Sequence, residues 1–131
     1  MSKKILLVDI DDNLQEAFTS LLDKLFEGKQ YNLFHVKSVQ KALDILKKDN
    51  IDLIITDLQL LDRSGISLLI QVNNAYPNIP KIVLSAYTDI VSEEDLKLLG
   101  VKYFFQKPPD LSTLRSGIEQ IFQLKKEENM E

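Results

Sequence analysis

The sequence contains no cysteine and a single histidine, His35. The first absence excludes disulfides, thiolate metal sites and thiol catalysis, and the second excludes any metal site built on a pair of histidines. No apolar run approaches the ~20 residues needed to cross a bilayer. The opening MSKKILLVD lacks the small-residue cleavage site of a secretory leader, so a cytoplasmic location with no membrane role is expected. Basic residues are also in deficit, 16 Lys and Arg against 20 Asp and Glu, for a net charge of -4. Without a clustered basic surface, no direct nucleic-acid binding is expected. The pairs Lys3 and Lys4, Lys47 and Lys48, and Lys125 and Lys126 read as solvated strand starts or helix ends. Chemistry is left to carboxylates, lysines and hydroxyls.

What is present is a chain of 131 residues with 44% apolar composition, enough for one packed core. Five times an apolar, β-branched run gives way to a helical pattern. KKILLVD leads into a helix with Leu14, Ala17, Phe18, Leu21, Leu22, Leu25 and Phe26 on one face, ending near Gly28. YNLFHVK precedes a helix N-capped by Ser38, with Val39, Ala42, Leu43 and Leu46 on its stripe. IDLIITD is almost wholly apolar after Asp52, as suits a central parallel strand covered on both faces. Ser64 and Gly65 open a third helix reaching about Ala75, PKIVLSA follows as a strand, and a weaker helix spans about Val91 to Leu99. VKYFF is the fifth strand, and the last helix buries Leu111, Leu114, Ile118, Ile121 and Phe122. This alternation implies an α/β fold, an open doubly wound five-stranded parallel sheet with right-handed crossovers, in one domain over 1–124. Residues 125–131 are expected to be a charged tail or the start of a linker.

In such sheets ligands bind outside the carboxyl ends of the strands. Those ends carry Asp9, Asp57, Ser85 and Lys107, two carboxylates, a hydroxyl and an ammonium group. The set suits a hard cation together with an anionic group. A nucleotide or flavin is disfavoured, because the first turn reads DIDDN, with no glycine to cradle phosphates and three acids to repel them. Magnesium fits better, as an oxygen-seeking ion that takes one or two carboxylates beside a phosphate.

Four motifs, VDID, IITDLQLLDRSG, LSA and FFQKPP, each at the end of its strand, resemble the receiver domain of two-component response regulators from about Lys3 to Phe122. The resemblance implies a flavodoxin-like (βα)5 sheet of strand order 2-1-3-4-5. It implies that Asp57 accepts a phosphoryl group from a sensor histidine kinase or histidine phosphotransfer protein. Asp9, Asp57 and the backbone carbonyl of Gln59 would hold Mg2+, Lys107 would neutralise phosphoryl charge, and Ser85 would close on the phosphoryl oxygens. Lys107-Pro108 resembles the family's cis peptide bond, and Phe104 stands where the family has an aromatic switch residue. Helix 4, strand 5 and helix 5 would then form the face for an output protein or domain, or for a homodimer. On this reading the chain is no enzyme, although it takes part in phosphoryl transfer to its own Asp57 and in autodephosphorylation.

Ile10 departs from the pattern, since it occupies the usual place of a second acid. Asp11 is a further candidate metal ligand, and Asp11 and Asp12 equally suit the N-terminus of the first helix through its dipole. With two carboxylates rather than three, Mg2+ is expected to bind more weakly than usual. An atypical receiver-like interaction module with weak or no phosphorylation is the alternative that Ile10 raises. A carboxylate-using hydrolase is a third reading, opposed by the lack of any insertion to enclose a substrate. Leu61 replaces the family's usual proline and Arg63 an apolar residue. Asp62 reads as a solvated loop acid, and His35 as a surface or packed residue distant from the strand ends.

Overall fold

The computed structural model describes residues 2–86 and 91–124, so the tail 125–131 lies outside the described residues. In chain order the elements are β1 (Lys3–Val8), α1 (Asp12–Phe26), β2 (Tyr31–Val36), α2 (Val39–Lys48), β3 (Leu53–Asp57), α3 (Gly65–Ala75), β4 (Lys81–Ser85), α4 (Glu93–Leu98), β5 (Val101–Gln106) and α5 (Leu111–Phe122). The five strands form one parallel sheet of order β2-β1-β3-β4-β5, the doubly wound, flavodoxin-like topology expected. Among the described residues no helix is long and apolar enough to cross a membrane.

Alternation along the strands divides the core. Ile5 and Leu7 of β1, Leu53 and Ile55 of β3, and Ile82 and Leu84 of β4 meet Phe18 and Leu22 of α1 and Leu114 and Ile118 of α5. Leu6, Val8 and Ile54 point the other way, against Val39, Ala42 and Leu46 of α2 and Leu68 and Val72 of α3. Val83 continues that second face toward α4, with Leu69, Leu96 and Val101. Each such side chain, fully withdrawn from water, contributes roughly 1.5–3 kcal/mol. The inner strands are therefore held from both sides, as their unbroken apolar runs require.

β5 is laid down with an irregularity. Lys81 pairs with Val101 but Ile82 with Tyr103, so Lys102 is an extra residue. The bulge places Tyr103 and Phe105 on the α1 and α5 side, where their rings stack 6.2 Å apart. Phe104 goes to the opposite side, with Val83 and Leu96.

Local chemistry sets the helix ends. Asp11 accepts from Asn13 N–H at 2.9 Å to cap α1, and Glu27 and Gly28 close that helix at positive φ, 40° and 85°. Ser92 caps α4 by accepting from Asp95 N–H at 3.1 Å, which is why α4 begins at Glu93 rather than at the expected Val91. Gly100, at φ 80°, follows its end.

Two glycines answer to packing. A Cβ on Gly65 would collide with the Asp57 carbonyl oxygen and lie 2.8 Å from Leu58 Cα. A Cβ on Gly117 would rest 3.4 Å from the ring edges of Phe105 and Tyr103, ordinary contact. Gly65→Ala is therefore expected to lower stability by about 1–3 kcal/mol. Gly117→Ala should be neutral or raise it by up to about 1 kcal/mol, because alanine is the better helix former. Urea unfolding of the two variants checks the contrast.

Candidate functional site

The parallel register brings four strand ends to one edge. Val8 pairs with Thr56, which sets Asp9, one residue beyond β1, beside Asp57 at the end of β3. Both are nearly sealed from water, with 0% and 6% relative exposure. The backbone of Asp9 is held by the end of β2. Its N–H donates to the Val36 carbonyl at 3.0 Å, and its own carbonyl accepts from His35 Nε2–H at 2.7 Å. A carbonyl only accepts, so the proton lies on Nε2. The expectation that His35 lies far from the strand ends is corrected here: it sits one residue before the end of β2 and bonds the first acid directly. Its other nitrogen, Nδ1, is 3.1 Å from Gln15 Oε1.

Asp57 is fixed at both oxygens. Oδ1 accepts from the N–H groups of Leu58 at 2.6 Å and Gln59 at 3.1 Å, while Oδ2 lies 2.7 Å from Lys107 Nζ. The same ammonium stands 2.7 Å from Asp9 Oδ2, so one cation bridges two buried carboxylates. Asp9 Oδ1 accepts from Asp11 N–H at 2.9 Å. Asp9 Oδ2 has the Lys107 ammonium as its close partner, leaving one lone pair of this buried oxygen open. Burial works to lower the Lys107 pKa, but the Asp57 and Asp9 carboxylates that face it prevail and raise it above its ordinary 10.5.

Ser85 ends β4 and is buried. Its carbonyl accepts from Lys107 N–H at 2.8 Å, and its hydroxyl donates to the Ala86 carbonyl at 3.0 Å. The Lys107-Pro108 peptide is cis. Asp9, Asp57, Ser85 and Lys107 thus converge from four strands. Phe104 lies two residues back from the end of β5, half-buried under α4. Gln59 continues the chain from Asp57 and bridges to Ser64 across the loop before α3. Asp11 is committed to capping α1, and Ile10 is turned outward, 46% exposed.

Asp62 is exposed in the loop, as expected of a solvated acid, but it is also tied to another element. Its two oxygens accept from Val39 N–H at 2.8 Å and Gln40 N–H at 3.0 Å, across the top of the sheet. Those bonds, that of Val39 foremost, hold its pKa below the usual 3.8 against a smaller opposing effect of burial. Sequence offered little sign of either residue. The partner of each is a backbone group distant along the chain, although His35 lies within two residues of a predicted strand end.

The site offers a cation two side-chain carboxylates, Asp9 and Asp57. Among the described residues no group of three Asp, Glu, His or Cys is placed to hold a metal. The all-oxygen donors and the open acceptor capacity of buried Asp9 Oδ2 nonetheless suit a hard divalent cation.

Because folding raises the Lys107 pKa, this group's contribution to stability is complete below pH 10.5 and is lost as pH climbs through the raised value. In Lys107→Met the buried carboxylates lose their shared counter-charge. Stability at pH 7 should fall by about 3 kcal/mol. Urea unfolding at pH 7, compared with the natural protein, measures the loss.

The response regulator receiver domain family model matches residues 5–119. Sporulation initiation phosphotransferase F of Bacillus subtilis (strain 168) is 30% identical over 125 residues, covering 95% of this chain and 98% of that protein. Transcriptional regulatory protein GlrR of Escherichia coli (strain K12) is 29% identical over 115 residues, 88% of this chain but 25% of that longer protein. The crystal structure of a CheY-like response regulator receiver domain protein from Methanospirillum hungatei JF-1 superposes with a TM-score of 0.80 at 24% identity, covering 97% of this chain and 99% of that one. With the sheet order and the strand-end acids already described, the match over most of its length makes this chain a member of the response regulator receiver domain family of two-component systems.

Proposed function

We propose that Asp57 is a phosphoacceptor: it takes a phosphoryl group from a phosphohistidine on a sensor histidine kinase or histidine phosphotransfer protein and changes the affinity of the chain for an output partner. The observation that carries this reading is the fixation of Asp57, with two amides on Oδ1 and Lys107 on Oδ2 at a water-poor strand end. In the transfer an Asp57 carboxylate oxygen forms a bond to phosphorus while the P–N bond of the donor breaks, and the histidine nitrogen keeps the electron pair. The reaction asks the protein chiefly for an in-line nucleophile and positive charge aimed at the equatorial oxygens. Lys107 supplies that charge, and rotation of the Ser85 hydroxyl away from the Ala86 carbonyl would let it donate to a phosphoryl oxygen. Movement of Ser85 would leave room for Phe104 to turn inward, altering the face formed by α4, β5 and α5. That face would receive an output protein or domain, or a second copy of the chain, in the cytoplasm.

Asp9, Asp57 and the backbone carbonyl of Gln59 would hold Mg2+, which supplies charge neutralisation at the phosphoryl oxygens when bound. With Ile10 outward and Asp11 committed to a helix cap, two side-chain carboxylates remain, and together with Mg2+ and Lys107 they leave a net positive charge. This weakens the hold on the cation and lessens repulsion of an incoming anionic phosphoryl group. The same outward Ile10 favours a second reading, a receiver-like module that signals by binding with little or no phosphorylation.

Intact-mass measurement after incubation with acetyl phosphate separates the two. The phosphoacceptor reading expects one magnesium-dependent phosphoryl adduct, absent from Asp57→Asn; folded protein without an adduct at any magnesium concentration would select the binding module. Ile10→Asp should tighten Mg2+ at least about tenfold, judged by the size of lesser changes around metal sites. An unchanged metal titration would show that a third side-chain carboxylate already serves.

A further inference from the structure

The loop that follows Asp57 is tied at its tip to a helix that contributes nothing else to the site. An α-helix leaves the N–H groups of its first turn without internal partners, and in α2 those of Val39, Gln40 and Lys41 are all satisfied. Ala42 N–H already makes the first bond of the helix itself, to the Ser38 carbonyl at 3.1 Å, and Lys41 N–H donates to Ser38 Oγ at 3.1 Å. Val39 and Gln40 donate to the carboxylate of Asp62, at 2.8 and 3.0 Å. One of the three is therefore capped locally and two are capped from another loop. Beside it, Leu61 N–H donates to the Lys37 carbonyl at 3.2 Å. Leu61 thus serves through its backbone while its side chain stands 70% exposed.

From Asp62 the constraint passes back toward the acceptor. The loop is cinched by the Gln59–Ser64 bridge and by Gly65 N–H donating to the Leu58 carbonyl at 2.8 Å. The amides inside that cinch, Leu58 and Gln59, are the two that hold Asp57 Oδ1. We infer that Asp62 is a positioning residue for the acceptor, its grip on Val39 and Gln40 keeping the 58–65 loop in the shape that aims the Leu58 and Gln59 amides at Asp57. Its lowered pKa accords with a carboxylate that stays charged in that grip at neutral pH. The catalytic consequence rests on Asp57 being the acceptor, while the loop's dependence on Asp62 does not.

The test compares two ways of uncapping the same helix. Ser38→Ala removes the local cap bond to Lys41 and leaves the loop alone, whereas Asp62→Ala removes the two bonds that join helix to loop. Amide hydrogen exchange, referred to each variant's global stability, should rise at Val39 and Gln40 in Asp62→Ala, and also at Leu58 and Gln59, by roughly tenfold, the scale of a lost cap. Ser38→Ala should leave Leu58 and Gln59 unchanged. Asp62→Asn, which keeps one acceptor oxygen, should fall between. Acetyl phosphate labelling should slow in Asp62→Ala and not in Ser38→Ala. Exchange that rises at Val39 and Gln40 alone, or equally at Leu58 and Gln59 in both variants, overturns the proposal. If the natural protein takes no phosphoryl group, the function proposed for Asp57 fails, and the exchange data alone decide the role of Asp62.

Discussion

One ammonium group between two buried carboxylates organises the top of this sheet. Lys107 reaches Asp9 and Asp57 at 2.7 Å each, and buried charges of this kind are costly unless they are paired. The arrangement leaves like charges close together with incomplete neutralisation, a poor choice for stability alone. Departures from the most stable arrangement of this kind concentrate at functional sites. Everything else at this edge serves to keep the three groups in place.

The fixtures come from the backbone more than from side chains. Asp9 is anchored through both its peptide groups to the end of β2, and Asp57 through the two amides that follow it. Lys107 is set by its N–H on the Ser85 carbonyl. The backbone bonds of Asp9 and Lys107 follow from the parallel register, so these two groups inherit their places from the sheet, whereas the Asp57 carboxylate also depends on the loop that follows it. The loop after β3 lacks a neighbouring strand to do this, and it is held instead by the start of α2 through Asp62 and Leu61.

Much of this was legible along the chain. ILLV and LII are apolar without interruption because they lie in inner strands, so the acids just beyond those runs had to emerge at one edge. Ser38 announced its cap, as did Ser64, which accepts from Ile66 N–H at 3.1 Å. Asp11 was open to two readings, helix end or metal, and its bond to Asn13 shows it at work on the helix. α4 was drawn too long, since Ser92 and the weak apolar periodicity give little guidance until the cap bond is seen.

Where the chain errs as a guide, the partner is distant backbone. Nothing near His35 indicates that its ring will meet the carbonyl of Asp9, 26 residues earlier. Nor does anything near Asp62 indicate two amides of α2, 23 and 22 residues earlier. Peptide groups are the same at every position, so a bond to one carries no signature in residue type. Sequence by itself determined the alternation of strands and helices, the class of sheet and the acids and lysine at its edge, because apolar periodicity and side-chain chemistry are written in residue identity. Tertiary structure alone decided that one lysine is shared by two acids, that Ile10 faces water, and that Asp62 joins the loop after β3 to α2, because each depends on distances between segments that only the packed sheet brings together.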